Sequence, residues 1–242
     1  MAPGPRLIID IAEKRFAGAE TPVLANLRLD IAPSSVVALV GPSGVGKSTL
    51  LRMIAGIDQA FAGTITIDGA AAYSAPTPGF VFQDPRLLPW LTAAQNIMAA
   101  DARITRDKAI AALGRVGLSD ASDLFAHQLS GGMQRRVALA RAFSVNARLL
   151  LLDEPFVSLD RELVAEMHQL FTCLVAETRP TVIFVSHLID DAARLADRAI
   201  LLADRPARII ADIVLPVPPA ERDEATLARY RDQLDAVSRN TV

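Results

Sequence analysis

The run GPSGVGKST, Gly41 through Thr49, sets Gly41, Pro42, Ser43, Gly44, Val45 and Gly46 ahead of Lys47, Ser48 and Thr49. This matches G-x-x-x-x-G-K-[ST], in which glycines let successive backbone N–H groups turn inward around an anion. Lys47 then supplies a compact positive charge to the terminal phosphates, and the Ser48 hydroxyl suits Mg²⁺. The apolar run Val36–Val40 before the motif reads as a strand and TLLRMIA after it as a helix, the setting that such a loop requires. A plain glycine-rich turn lacks that setting. The motif alone leaves ATP and GTP open, and suits a kinase or a GTPase as well.

Asp153 and Glu154 close the apolar run LLLLDEP, at a strand end where α/β sheets present ligand-binding groups. Asp153 is placed to hold Mg²⁺ through water, and Glu154 to polarise an attacking water. A solvated turn or helix cap accounts equally for an isolated Asp-Glu pair. His187, after TVIFVS, and Gln83, ending FVFQ, carry little information alone. Three strands ending in Gln, Asp-Glu and His at the edge that carries a phosphate loop nevertheless form a constellation for phosphoryl chemistry.

A second glycine-rich turn, LSGGMQ, precedes the helical run Gly131–Ser144. Ser130 reads as the N-cap of that helix. With Gly131 and Gly132 following, the turn leaves backbone N–H groups and the positive helix end open to an anion.

Elements that must position these groups follow from hydrophobic period. Leu7–Ile11, Leu24–Ile31, Val36–Val40, Thr64–Ile67 and Phe80–Phe82 read as strands, as do the continuous apolar runs Leu149–Leu152, Thr181–Val185 and Ala199–Leu202. Helical spacing covers Ser48–Ala55, Glu162–Glu177 and Ile189–Ala196. Between Asp84 and Asn146 the strand signal gives way to helices at Thr92–Ala100, Asp107–Val116 and Gly131–Ser144, a helical subdomain inserted in an α/β core. Beyond Leu215, PVPP breaks the chain, and Leu227, Tyr230, Leu234 and Val237 form the stripe of a docked terminal helix.

The 242 residues suffice for one large domain, and no uncharged stretch is long enough to span a bilayer. The opening MAPGPRLIIDIAEKRF lacks the order of a secretion signal, and Cys173 cannot form an internal disulfide; both favour the cytoplasm, with Cys173 expected to be a packed small residue. A net charge of -2 gives no general attraction to nucleic acid, so none is expected as a partner.

The order GPSGVGKST, VFQD, LSGGMQ, LLLLDEP, VSLD and VSH resembles the ATP-binding subunit of ABC transporters, from about Leu7 to Leu215. The resemblance implies an α/β P-loop NTPase core with a mixed sheet, an N-terminal antiparallel β subdomain and the inserted helical subdomain. Residues 1–83 and 147–215 then form the core, 84–146 the helical part and 216–242 a tail of one ABC ATPase domain. It implies ATP and Mg²⁺, and a homodimer in which Ser130, Gly131 and Gly132 of one copy face the γ-phosphate held by the other. Phe16 is similar to the aromatic that stacks on adenine, Gln83 to the residue touching Mg²⁺ and the attacking water, Asp160 to the dimer-contact residue, and His187 to the γ-phosphate sensor beside Glu154.

VFQDPRLLPWLTAAQNI and ADRPARII are further similar to importer ATPases of the nitrate, sulfonate and taurine group, whose relatives include importers of thiamine precursors. This implies membrane permease subunits, an extracytoplasmic solute-binding protein and a place at the cytoplasmic face of the inner membrane. Leu87, Leu88, Trp90 and Leu91 suit contact with a permease helix, although packing against the chain's own core accounts for them nearly as well. Departures from the family pattern are Pro33-Ser34-Ser35 where Gly-Glu is usual, Leu188 in place of Asp, and Phe16 in place of Tyr. None removes a catalytic group. A soluble ABC-type ATPase acting on DNA or ribosomes is the alternative; such proteins carry long coiled-coil insertions or a second phosphate loop, which this sequence lacks. A small-molecule kinase has no use for LSGGMQ.

Overall fold

The computed structural model describes residues 3–145, 147–157 and 161–239. Its central element is a six-stranded sheet made from β3 (Val36–Val40), β6 (Gly79–Val81), β7 (Leu149–Asp153), β8 (Thr181–Ser186), β9 (Arg198–Ala203) and β10 (Arg208–Val214), in the order β10-β9-β3-β8-β7-β6. All neighbours pair in parallel except β9 and β10, so the sheet is mixed as expected. A second, antiparallel sheet holds β1 (Leu7–Lys14), β2 (Leu24–Ile31), β4 (Ala62–Ile67) and the short β5 (Ala70–Ala71), in the order β2-β1-β4-β5.

The period of two sorts the central strands between two cores. Val37, Leu39, Leu149, Leu151, Ile183 and Val185 face the antiparallel sheet and α1 (Lys47–Ile54). Their sequence neighbours Ala38, Val40, Leu150, Leu152, Val182 and Phe184 face the other way, toward Phe143, Phe171 and Leu195. Strands buried on both faces need no polar alternation, which is why these segments read as unbroken apolar runs. Each Val, Leu, Ile or Phe among them contributes about 1.5–3 kcal/mol on burial.

A third core lies within the helical segment, where α2 (Ala93–Met98), α3 (Arg106–Arg115) and α4 (Gly131–Ser144) enclose Ile97, Leu113, Val137 and Ala140. Threonine caps begin the first two helices: Thr92 makes a full capping box with Gln95, and Thr105 accepts from Lys108 N. Helix α4 serves two cores, since Leu139, Ala142 and Phe143 on its other side join the central-sheet core. It is also tied to the segment that enters the helical layer, for Arg141 donates to the carbonyls of Pro85 and Arg86 at 2.8 and 3.0 Å.

The remaining helices are α5 (Arg161–Thr178), α6 (Ile189–Leu195) and α7 (Glu224–Arg239). Helix α7 docks as its stripe predicted, burying Leu227, Tyr230 and Leu234. Arg222 secures its approach by donating to the carbonyls of Val217, Ala193, Ala196 and Leu215.

One expectation fails, and one strand has no counterpart in the sequence reading. Cys173 is exposed: it lies two residues beyond the buried Phe171, about 200° around α5 and so on the outer face. Strand β10 was not anticipated, because it is an edge strand with a register shift between Ile209 and Ala211 that erases clean alternation. The unusual Pro33-Ser34-Ser35 turn, by contrast, has a physical account. Ser34 takes the left-handed backbone (φ 54°) that glycine favours, and its hydroxyl donates to Arg179 O while accepting from Gly4 N, each at 2.8 Å.

Candidate functional site

The phosphate loop spans the turn from β3 into α1. Gly46 caps α1 with φ 114°, and a Cβ there would stand 2.9 Å from Leu24 Cδ2, so neither the backbone nor the space admits a side chain. Gly44 also has a positive φ, 78°. At Gly41 a Cβ would meet the Leu202 carbonyl oxygen at 2.3 Å, which packs the loop directly onto β9. Lys47 is only 4% exposed and donates from Nζ to the Gly41 and Pro42 carbonyls at 2.7 and 2.8 Å. Burial lowers its pKa, and the carboxylates of Glu154 and Asp153 oppose that shift.

Strand order brings the dispersed residues together. The phosphate loop follows β3, His187 follows β8, Asp153 ends β7, and Gln83 lies just past β6; these four strands are consecutive neighbours and parallel, so their C-terminal ends share one edge. At that edge Ser48 Oγ donates to Asp153 Oδ1 at 2.8 Å. Glu154 Oε2 accepts from Gln83 Nε2 at 3.3 Å and lies 3.6 Å from His187 Nδ1. Glu154 itself has a left-handed backbone, φ 48°, with its N–H on Val185 O at 3.1 Å. That conformation turns its side chain out of the strand's alternation, at a cost of order 1 kcal/mol for a non-glycine residue.

Asp153 is buried, and burial raises its pKa; Glu154 adds to the shift, while the Ser48 hydroxyl opposes it. A raised carboxyl pKa means that the folded state favours the proton. The associated stability is present below the ordinary carboxylate range and lost as pH rises through the folded value. Asp153→Asn therefore increases resistance to urea without nucleotide at about pH 7, and the gain shrinks toward about pH 3. Urea titrations at the two pH values check this, and an equal gain at both contradicts it.

The other predicted groups differ in their exposure. Phe16 is 49% exposed, with Lys14 Nζ 5.1 Å from its ring centroid. Ser130 caps α4 by accepting from Met133 N at 3.3 Å, and a Cβ on Gly131 would meet nothing within 4 Å. Gly132 is different, since a Cβ there would come within 2.3 Å of Leu163 Cδ2 on α5. Pro42, Ser43, Val45 and Thr49 lie in the phosphate loop and the first turn of α1. Asp160 lies outside the described residues.

Sequence reasoning missed three groups at this edge: Ser186, His168 and Asp191. They form a buried polar network beneath His187, and nothing in their local spacing announces it. Arg135, another group not singled out, donates to the Val157 carbonyl beyond Glu154.

A phosphate loop, a hydrogen-bonded Ser48–Asp153 pair and a carboxylate flanked by Gln and His at one end of a mixed sheet define a P-loop nucleoside triphosphatase. The chain belongs to the ABC transporter family, whose model matches residues 24–157, and it is an ATP-binding, ATP-hydrolysing subunit of that kind. It is 40% identical over 240 residues to an aliphatic sulfonates import ATP-binding protein of Burkholderia cenocepacia, covering 97% of this chain and 88% of the relative. Another aliphatic sulfonates import ATP-binding protein, from Pseudomonas aeruginosa, is 40% identical over 236 residues, 93% and 94% of the two chains. Among solved structures, a dimeric ATP-binding cassette in a post-hydrolysis state with ADP and Pi superposes with a TM-score of 0.76 at 30% identity, covering 86% of this chain and 98% of that one. A dimeric bacterial ABC transporter cassette gives a TM-score of 0.77, with the same identity and coverage. Among the described residues, no helix is long and apolar enough to cross a membrane.

Proposed function

We propose that two copies of this chain close head to tail on two ATP molecules and use the hydrolysis cycle to drive import of a small solute, of the sulfonate, nitrate or taurine kind, through separate permease subunits. The observation that carries this reading is the convergence of Gln83 and His187 on one Glu154 oxygen beside the phosphate loop, on a chain whose exposed, capped α4 start offers a second anion site. The relatives' import role supports the direction and solute class. The dimeric neighbours support pairing of two copies.

In this reading the backbone N–H groups of residues 41–49 and the Lys47 ammonium cradle the phosphates, and Phe16 stacks on adenine. Glu154 takes a proton from water as that water attacks the γ-phosphorus in line, and the Gln83 amide and the His187 ring fix its approach. Ser130, Gly131 and Gly132 of the partner copy complete the γ-phosphate shell, and Asp160 contributes at the dimer contact. The oxygen-only set of Ser48 and Asp153, joined at 2.8 Å, fits Mg²⁺, and the Gln83 side-chain oxygen would be its third protein ligand. Bound there, Mg²⁺ would neutralise charge on the β- and γ-phosphates.

The single ABC domain divides, on this proposal, into core segments 1–83 and 147–215, the helical insert 84–146 and the tail 216–242. A cleft of about 830 Å³ separates the sheet edge from the helical layer, lined by Phe80, Phe82, Arg86, Leu88 and Arg141, with Trp90 68% exposed nearby in sequence. This cleft and the Leu87–Leu91 segment receive the permease. The permease pair communicates with an extracytoplasmic solute-binding protein and holds this chain at the cytoplasmic face of the inner membrane. Detergent extraction of membranes from the native host should recover the chain with integral subunits. Recovery with ribosomes or DNA instead would favour the soluble alternative.

A further inference from the structure

Next to His187 runs a chain of three hydrogen bonds, two of them buried. Leu188 N donates to Ser186 Oγ at 2.9 Å, Ser186 Oγ donates to Asp191 Oδ2 at 2.5 Å, and His168 Nε2 stands 3.1 Å from Asp191 Oδ1. Asp191 is 3% and His168 7% exposed. The first bond spans His187, linking the side chain before it to the backbone after it, so the loop's shape depends on where Ser186 Oγ is held. Asp191 on α6 holds that oxygen, and His168 on α5 holds Asp191. The His168 ring is itself set edge-on against Phe156, with centroids 4.6 Å apart and planes at 90°. Phe156 lies two residues beyond Glu154. Both members of the Glu154–His187 pair are therefore referenced to one buried ring, which belongs to the helix that follows Asp160.

We propose that His168, acting through Asp191 and Ser186, is a positioning residue that fixes His187 relative to Glu154 for hydrolysis. The inference rests on the reading of His187 given above. Three successive hydrogen bonds hold a group near its working geometry, where displacement by about 1 Å can cost up to about a hundredfold in rate. Binding of ATP by the phosphate loop does not pass through these residues.

The experiment compares steady-state ATPase kinetics of His168→Gln, His168→Asn, Ser186→Ala and His187→Ala, with each of the first three also combined with His187→Ala. A glutamine amide reaches the position of Nε2; an asparagine amide does not. His168→Gln is expected within about twofold of native kcat, with His168→Asn and Ser186→Ala lowered about tenfold at unchanged KM for ATP. In the His187→Ala background the same changes should cost nothing more, because the group they position is gone. Equal losses with and without His187, losses that appear in KM, or equal effects of Gln and Asn would overturn the proposal. Ser186→Ala removes one oxygen only and keeps the test valid if a His168 variant fails to fold. Native turnover in His187→Ala alone would overturn the reading of His187 and this inference with it. Loss in His187→Ala beside native turnover in His168→Asn and Ser186→Ala would overturn the inference alone.

Discussion

Glu154→Gln lowers steady-state ATP hydrolysis by at least about a hundredfold, the low end of what a positioned general base contributes. The substitution keeps the size of the side chain and an acceptor oxygen near Gln83 Nε2, 3.3 Å away in the native chain, while removing the basic lone pair. ATP binding should stay within a few-fold, since the phosphate loop is untouched. With hydrolysis stopped, the ATP-bound pair persists, so size-exclusion chromatography in MgATP should show a dimer that native protein loses during turnover. Native hydrolysis in the variant would remove Glu154 from its role. Slow hydrolysis with no gain in dimer lifetime would separate base chemistry from dimer release.

Ser130→Arg abolishes turnover while leaving nucleotide affinity of the isolated chain unchanged. The Ser130 hydroxyl caps α4 at 3.3 Å from Met133 N, so the change first removes a cap worth about 1 kcal/mol. Its larger effect is steric and belongs to the pair: a long cationic side chain stands where the turn should meet the partner's γ-phosphate. In the proposed head-to-tail pair each copy lends this turn to the other. Mixing the variant with Lys47→Ala chains leaves one site in each mixed dimer assembled from two intact halves, and ATP-dependent pairing should return only in the mixture. Unchanged turnover in Ser130→Arg would place the turn away from any nucleotide.

Much of this arrangement was legible from residue order, for a definite reason. A strand buried on both faces can only be apolar, so Val36–Val40, Leu149–Leu152 and Thr181–Val185 declare themselves and deliver Lys47, Asp153 and His187 to strand ends. Strand order was not legible, because pairing partners far apart in sequence leave no local trace; that Gln83 and His187 flank Glu154 emerges only from β6 and β8 lying on either side of β7. Edge strand β10 hid behind its bulge. The Ser186–Asp191–His168 network hid because His168 and Asp191 lie 23 residues apart on different helices, where each polar residue reads as part of a solvated face until burial is known.

The tether from Arg141 to the Pro85 and Arg86 carbonyls has a mechanical consequence. Those carbonyls follow Gln83 closely along the chain, and α4 begins with the turn of Ser130. A tilt of the helical layer would therefore swing the segment after Gln83 and the tip of α4 as a single lever arm, neither end shifting without the other.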